Sequence, residues 1–535
     1  MLRKKLIKID SSKCNNCHSC ITVCPVKICI NGSGARISII EDRCIGCGRC
    51  IGACKKKALS IDGDDTIEFF DDLNSGVDMT LLMDPAAFAS FDDVFKLNGF
   101  LYGLGVKAIF DGAFGVELSA RSLHEYSKKI RPSFIISPMC ASIVNYCEIY
   151  EPDLLKTLAP IQSPIMHSAI MVRKFFPQYS GTKIAAITPC DARKSEFLEN
   201  EIISYNVTIL GLKEYFAHNN IDIKSCEPYD FVGPIAERGA GFSSPGGFTE
   251  TLCRDAPELE TKIRHIEGTE SIRKYLQDIP KLLKLKQAPF LIDCLSCTKG
   301  CNAGTGTNNY RELIDVFESK INKRKTENIR KLKTAFGKSK INSTINKYWV
   351  EGIYDRSYVD RSEFLKTYIT PAKTARAKIY KSMGIENLGD DINVNCRACG
   401  YGSCAAMAEA IYNGLNQPEN CYQYLKKNAK HPFIKDQKKM DEIFKMLKTF
   451  VTKNSVKEFG VEYVNETIYY KKSGNNVLTT FSCKSRLKTD ETSKQTIIKD
   501  LNALKEKFKE IGVLKINVNS NKDDGLQIIW TMPCE

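Results

Sequence analysis

Eight cysteines near the start of the chain fall into two copies of one spacing. Cys14, Cys17, Cys20 and Cys24 follow C-x2-C-x2-C-x3-C, and Cys44, Cys47, Cys50 and Cys54 repeat it. The tight C-x2-C turn offers sulfurs to two corners of a cube while its amide hydrogens face inorganic sulfide. In such doubled runs the fourth cysteine ligates the other cluster. Cys14, Cys17, Cys20 and Cys54 are therefore expected to hold one 4Fe-4S cube, and Cys44, Cys47, Cys50 and Cys24 the second. The crossed repeat suits cubes and argues against paired tetrathiolate zinc. Cys29 has no place in the pattern and reads as packing.

The doubled run resembles that of bacterial two-cluster ferredoxins, which implies a ferredoxin-like domain over residues 1–75. Lys55 stands where a proline usually follows the last cysteine. Residues 63–75 are acidic and read as a linker.

The chain has 535 residues, 23 cysteines and a formal charge of +14. A secreted disulfide protein would begin with an apolar signal, whereas residues 1–10 are strongly charged. No apolar run is long enough to span a bilayer, so no membrane partner is expected. Tight cysteine clusters without a secretion signal point to metal sites in a reducing cytoplasm. The positive charge suits a solvated lysine-rich surface or attraction of acidic redox proteins.

A second set of cysteines sits just past apolar strands. Phe134-Ile-Ile136 leads to Cys140, and Ile184-Ala-Ala-Ile187 leads to Cys190. Phe290-Leu-Ile292 leads into a turn-rich loop with Cys294, Cys297, Cys301 and the glycines 300, 304 and 306. Ligands of open α/β folds bind beyond the carboxyl ends of strands. One buried cluster held by Cys140, Cys190, Cys297 and Cys301 is the expectation. The glycines would let the backbone come close to something bulky, forming a pocket.

The segments Cys140-Ala-Ser-Ile-Val-Asn-Tyr146, Thr188-Pro-Cys-Asp-Ala-Arg-Lys-Ser-Glu196 and Cys297-Thr-Lys-Gly-Cys-Asn-Ala-Gly-Thr-Gly306 resemble, in order, three signatures of the iron-only (FeFe) hydrogenases. The resemblance implies a two-lobed, doubly wound parallel-sheet domain over residues 76–375. It implies an H-cluster: a 4Fe-4S cube on the four cysteines, with Cys301 bridging to a diiron subsite that carries carbonyl, cyanide and a bridging dithiolate. It also names site positions. Met139 stands where active members have a proton-carrying cysteine. Arg193 stands for the lysine that binds cyanide, and Glu196 and Ser163-Pro164 are kept. Ser119, Ser122 and Ala159 replace two glutamates and a serine of the family's proton route, and Thr188 and Leu295 replace methionines. Positioned acids contribute about 10²–10⁴-fold to proton transfer. Losing several together predicts slow turnover and resembles the sensory branch of the family.

Residues 309–390 are rich in lysine and helix formers, expected as a solvated helical face or a docking surface for an acidic ferredoxin. Few aromatics interleave with the basic residues, which argues against nucleic acid. Cys396, Cys399, Cys404 and Cys421 follow C-x2-C-x4-C-x16-C. This resembles a small 4Fe-4S domain of corrinoid iron–sulfur proteins, giving a helical domain over 376–430 and a third accessory cube; the same four thiols also suit structural zinc. Residues 431–535 show strand patterns at 461–464, 467–470, 477–481, 513–518 and 526–530. Apolar residues repeat at helical spacing from Ile497 to Ile511, completing an α+β module.

The whole is a multidomain α/β iron–sulfur protein. Its expected activity is reversible interconversion of dihydrogen with protons and electrons, slow and sensory. A ferredoxin or other redox protein is the expected electron partner, with a signalling partner at the C-terminal module. The alternative is a non-catalytic electron-transfer or redox-signalling protein on the same fold, with no diiron unit.

Overall fold

A computed structural model of the chain describes residues 6–333, 339–385 and 395–428, with short stretches between 445 and 534. The chain divides into two units, Met1–Tyr424 and Leu425–Glu535.

The first unit opens with the doubled pattern. Strand Ile7–Ile9 pairs antiparallel with Leu59–Ile61, and Ile30–Asn31 pairs with Ser38–Ile39. Two five-residue helices, Ser19–Val23 and Arg49–Ala53, each place the third cysteine of a run in their first turn.

The acidic stretch after this domain is not a linker. Thr66–Asn74 is a helix that buries Phe69, Phe70 and Leu73. Their spacing of one, three and four residues is a helical stripe, which the surrounding acids obscure. Phe70 stacks on Tyr215 with ring centroids 3.8 Å apart. The acids themselves are used. Asp64 accepts from the Thr208 amide at 2.7 Å, Asp65 accepts from the Asn206 amide at 2.7 Å, and Lys194 pairs with Asp65.

Two parallel sheets follow. One has the order Ala108–Asp111, Met79–Met83, Lys183–Thr188, Ile203–Thr208. The other runs Ile263–Glu267, Leu291–Leu295, Ile135–Ile136. Met79–Met83, Ala108–Asp111 and Leu291–Leu295 are buried at every position. Continuous apolar runs are what strands covered on both faces require. Cys294 lies inside the last of these strands, wholly buried, and not in the loop where its sequence neighbours place it.

The basic region beyond residue 309 forms the helices Ile314–Leu332, Ile341–Tyr348 and Lys373–Ser382. The first is not wholly a solvated face. It buries Phe317, Ile321, Arg324 and Asn328, and Arg324 meets Asp111 at 2.7 Å. Helix Cys404–Tyr412, capped by the Ser403 hydroxyl on the Ala406 amide, belongs to the third cysteine group.

The second unit contains an antiparallel sheet in the order Glu458–Glu462, Asn476–Lys488, Gly525–Cys534, Lys515–Asn521, with Lys471–Ser473 pairing on Asn476–Lys488. The expected strand at 467–470 and the apolar positions of the stripe from Ile497 to Ile511 lie outside the described residues.

Candidate metal centre

Four strands of the two sheets send their carboxyl ends to one place. Met83 runs into Asp84, Ile136 leads to Cys140, Thr188 to Cys190 and Leu295 to Cys297. Cys140, Cys190, Cys297 and Cys301 line a single cavity, and Asp84, Arg193 and Cys47 share its wall.

Local structure fixes each thiol. Cys140 occupies the N-cap of helix Ala141–Tyr150 in extended conformation. The unpaired amides of a helix start favour a thiolate there. The Cys190 loop is pinned from strand Ile203–Thr208: Thr188 Oγ1 donates to Asn206 Oδ1 at 2.6 Å, and Asn206 Nδ2 donates to the Cys190 carbonyl at 3.2 Å. Gly300, with φ of 69°, turns the chain between Cys297 and Cys301; a Cβ there would lie 2.4 Å from the Ser243 carbonyl oxygen.

Gly304 lines the cavity, and both Gly304 and Gly306 also bring two loops into close contact. A Cβ on Gly304 would sit 2.3 Å from the Pro189 carbonyl oxygen, and one on Gly306 would sit 2.9 Å from the Pro189 carbonyl carbon. The Gly306 amide donates to Pro189 O at 2.9 Å. The glycines let the Cys301 loop lie backbone against backbone on the Cys190 loop, which sets the spacing of their two thiols.

Arg193 reaches the cavity from helix Arg193–Asn200. Its Nη1 donates to Glu196 Oε2 at 2.7 Å, and its Nη2 donates to the Met139 carbonyl at 2.8 Å. Burial alone would depress the guanidinium, but the charges of Glu196, Cys190 and Cys301 outweigh it and push it up. Burial would likewise raise Glu196, yet Arg193 and Arg356 hold its carboxyl below the usual range. Met139 and Glu196 are not among the cavity-lining residues. The Met139 side chain is wholly buried among Val116, Leu123, Phe242 and Phe248, and its backbone carbonyl is what serves Arg193.

Residues on the expected proton route carry no acid. Ser119 Oγ donates to the Val116 carbonyl at 3.0 Å. Ser122 meets His167 Nε2 at 3.0 Å and accepts from Trp349 Nε1 at 2.9 Å. The Ala159 carbonyl accepts from Tyr358. Asp84, which local sequence gave no reason to single out, is the carboxyl among the lining residues. Burial pushes it up to about 6, against the hydrogen bond from the Ala86 amide. The only advance signal was its place directly after a buried strand.

The accessory cysteines lie in two regions. Cys17 is exposed while Cys20 and Cys24 are buried, and Cys47 reaches the cavity wall. Cys29 is buried with its Sγ 3.5 Å from that of Cys24, so it packs directly on a candidate ligand. In the third group Cys396 is exposed, and Cys399, Cys404 and Cys421 are buried.

The donor set fits an iron–sulfur body better than a lone ion. The thiols of the cavity are free, and burial pushes Cys190 up to about 12 and Cys297 and Cys301 well above their usual range. Only a cationic centre would convert such thiols to thiolates. Among the described residues no three His, Cys, Asp or Glu groups converge closely enough to hold one metal ion. The four thiols surround a space, as ligation of a cube requires.

Thiols grouped in this way define an iron–sulfur protein. Residues 85–305 match the family model "Iron only hydrogenase large subunit, C-terminal domain", residues 6–55 a 4Fe-4S dicluster domain, and residues 393–422 a putative Fe-S cluster domain. Residues 85–305 thus carry an iron-only hydrogenase-type domain, preceded by a ferredoxin-like dicluster domain. Among solved structures it is similar to an FeFe-hydrogenase studied for oxygen inactivation of the H cluster, at 15% identity and TM-score 0.43, covering 56% of this chain and 100% of that one. FeFe-hydrogenase HydA1 from Chlamydomonas reinhardtii matches at 15% identity and TM-score 0.40, with the same coverage. No curated protein matches the chain. Among the described residues no helix is long and apolar enough to cross a membrane.

Proposed function

We propose that the chain interconverts dihydrogen with protons and electrons at an H-cluster held by Cys140, Cys190, Cys297 and Cys301, slowly, and acts as a redox sensor. The observation behind this reading is the single cavity walled by four free thiols and Arg193. A diiron unit bound there would supply an open metal position and a base for dihydrogen chemistry.

The chain's own residues bind, orient and insulate. Cys301, which lines the cavity, would be the thiol that holds the diiron unit. Arg193 uses two of its five N–H donors on Glu196 and Met139, which leaves donors and a full charge for an anionic ligand such as cyanide. The buried side chain of Leu295 lines the cavity and keeps water out. Asp84 Oδ is placed to hold a proton beside the cavity. With Ser119, Ser122 and Ala159 on the route that carries acids elsewhere in the family, proton exchange limits turnover. An external ferredoxin or similar redox protein exchanges electrons with the accessory cubes, and residues 431–535 pass the redox state to a signalling partner.

Infrared spectra of the matured protein test this. Carbonyl and cyanide bands with slow hydrogen uptake are expected. The loss of relay groups also supports a second reading, a non-catalytic redox protein; absent bands, with iron and sulfide matching cubes alone, would select it.

A further inference from the structure

The third cysteine group is not a separate bead near the end of the first unit. It shares one hydrophobic core with the ferredoxin-like domain: Leu6, Ile21, Ile30 and Leu59 pack with Tyr401, Met407 and Leu415. The Gly32 amide donates to the Leu415 carbonyl at 2.9 Å, and Asn420 Nδ2 returns a bond to the Gly32 carbonyl at 2.8 Å. Gly400, with φ of 89°, fits against the chain at His18 and Thr22; a Cβ there would lie 3.0 Å from the His18 carbonyl oxygen.

Lys27 stands at this junction. Its amide donates to Cys24 Sγ at 3.1 Å. Its ammonium donates to the Ile21, Thr22 and Gly400 carbonyls at 2.9, 3.1 and 3.0 Å. Gly400 directly follows Cys399. One residue therefore links a ligand position of the second N-terminal cube to one of the third accessory cube. On its far side the second cube's Cys47 lines the cavity of the catalytic thiols, while the first cube's Cys17 faces solvent.

We propose that the second N-terminal cube is a branch point fed by two routes, one from the first cube and one from the cube on Cys396, Cys399, Cys404 and Cys421. In each transfer one reduced cube loses a single electron and its neighbour gains it, with no bond or proton moved; the electrons come from a low-potential one-electron donor. Lys27 is a positioning residue. Its charge lies close to both cubes and favours the more negative, reduced form of each. The third cube thus gives the sensor a second electron inlet, set apart from the exposed rim at Cys17. The inference deepens the proposed function but rests only on the accessory thiols.

Electron paramagnetic resonance on the full chain, reduced by dithionite and never supplied with the diiron unit, provides the test. Its failure is separable from that of the hydrogenase reading because no infrared band is involved. In the intact chain the second cube's signal is expected to be broadened and fast-relaxing through spin coupling to the third. The double variant Cys399→Ser/Cys404→Ser should lose one cube's iron and that broadening. Retention of the same line shape and relaxation without the third cube would overturn the proposal. If the double variant loses further iron, Lys27→Met decides at full cluster content. A negative shift in the midpoints of both cubes supports the branch, and unchanged midpoints of both, or a shift confined to one, refute it.

Discussion

Arg356 Nη1 and Glu196 Oε1 lie 2.9 Å apart, with side chains only 5% and 1% exposed, although 160 residues separate them in sequence. Glu196 thereby binds two guanidiniums, Arg356 on one oxygen and Arg193 on the other. Arg356 continues outward to Glu199 at 3.0 Å, and Arg361 meets both Glu199 and Glu148. The arginine at the cavity is held by a row of alternating charges that runs to the surface.

Removing one member of a buried pair strands a charge, at a cost of about 3–5 kcal/mol. Arg356→Met should fall toward the lower end of that range, because Glu196 keeps Arg193. Glu196→Gln should cost more, since two guanidiniums lose their counter-charge. Denaturant midpoints of the two variants measure this; equal midpoints would show that the row does not share its charges.

Gly304→Ala places a methyl against the Pro189 carbonyl and must push the Cys301 and Cys190 loops apart. Overpacking of this kind costs about 1–3 kcal/mol. The expected outcome is a protein lacking one cube's iron and sulfide. Gly402→Ala is the control, because a Cβ there meets nothing within 4 Å. Iron analysis of the two variants decides, and full iron in Gly304→Ala would contradict the close-packed loops.

His167 predicts a pH response. It stacks on Tyr354 with centroids 4.5 Å apart and is fixed between Ser122 and the Ser163 carbonyl. Burial lowers it from 6.5 to about 4. As pH falls below 6.5 the unfolded chain takes up a proton that the folded chain refuses, so stability falls until about pH 4 and then levels. The loss is about 3 kcal/mol at 1.36 kcal/mol per pH unit. His167→Gln should remove that slope from a plot of unfolding free energy against pH. A slope equal to that of the parent would assign it to other groups.

Asp84 makes a kinetic prediction. With its carboxyl near 6, it is an acid below that pH and a base above it. Hydrogen oxidation needs the base, so turnover should rise through about pH 6. Asp84→Asn should abolish the inflection and slow turnover by about 10²-fold, with the infrared bands retained. An unchanged pH profile would remove Asp84 from proton handling.

Short-range patterns made much of this legible. The doubled cysteine run and the three strand-end signatures name the thiols because each depends on residues a few positions apart. Apolar strands such as Met79–Met83 declare themselves through unbroken hydrophobicity. The acids around Phe69, Phe70 and Leu73 concealed a helix because composition masked its stripe. Arg356 on Glu196, and Lys27 on Gly400, left no local trace, since each joins segments more than a hundred residues apart. The glycines at 304 and 306 were visible as small residues, but what they make room for, a neighbouring peptide, is decided only in three dimensions.

Gly46 and Gly48 belong to the Cys44–Cys47 turn and its flank. A side chain on Gly46 would strike Leu6 and Ala192, and one on Gly48 would lie 2.2 Å from Thr305 Cγ2. The turn that carries Cys44 and Cys47 is thus cut to the contour of the two loops bearing Cys190 and Cys301. A ferredoxin taken from elsewhere and spliced onto this sequence would carry its own turn shape and would not seat. The N-terminal segment is no interchangeable cassette, and rewiring its electron supply means redesigning the turn together with the loops it is fitted to.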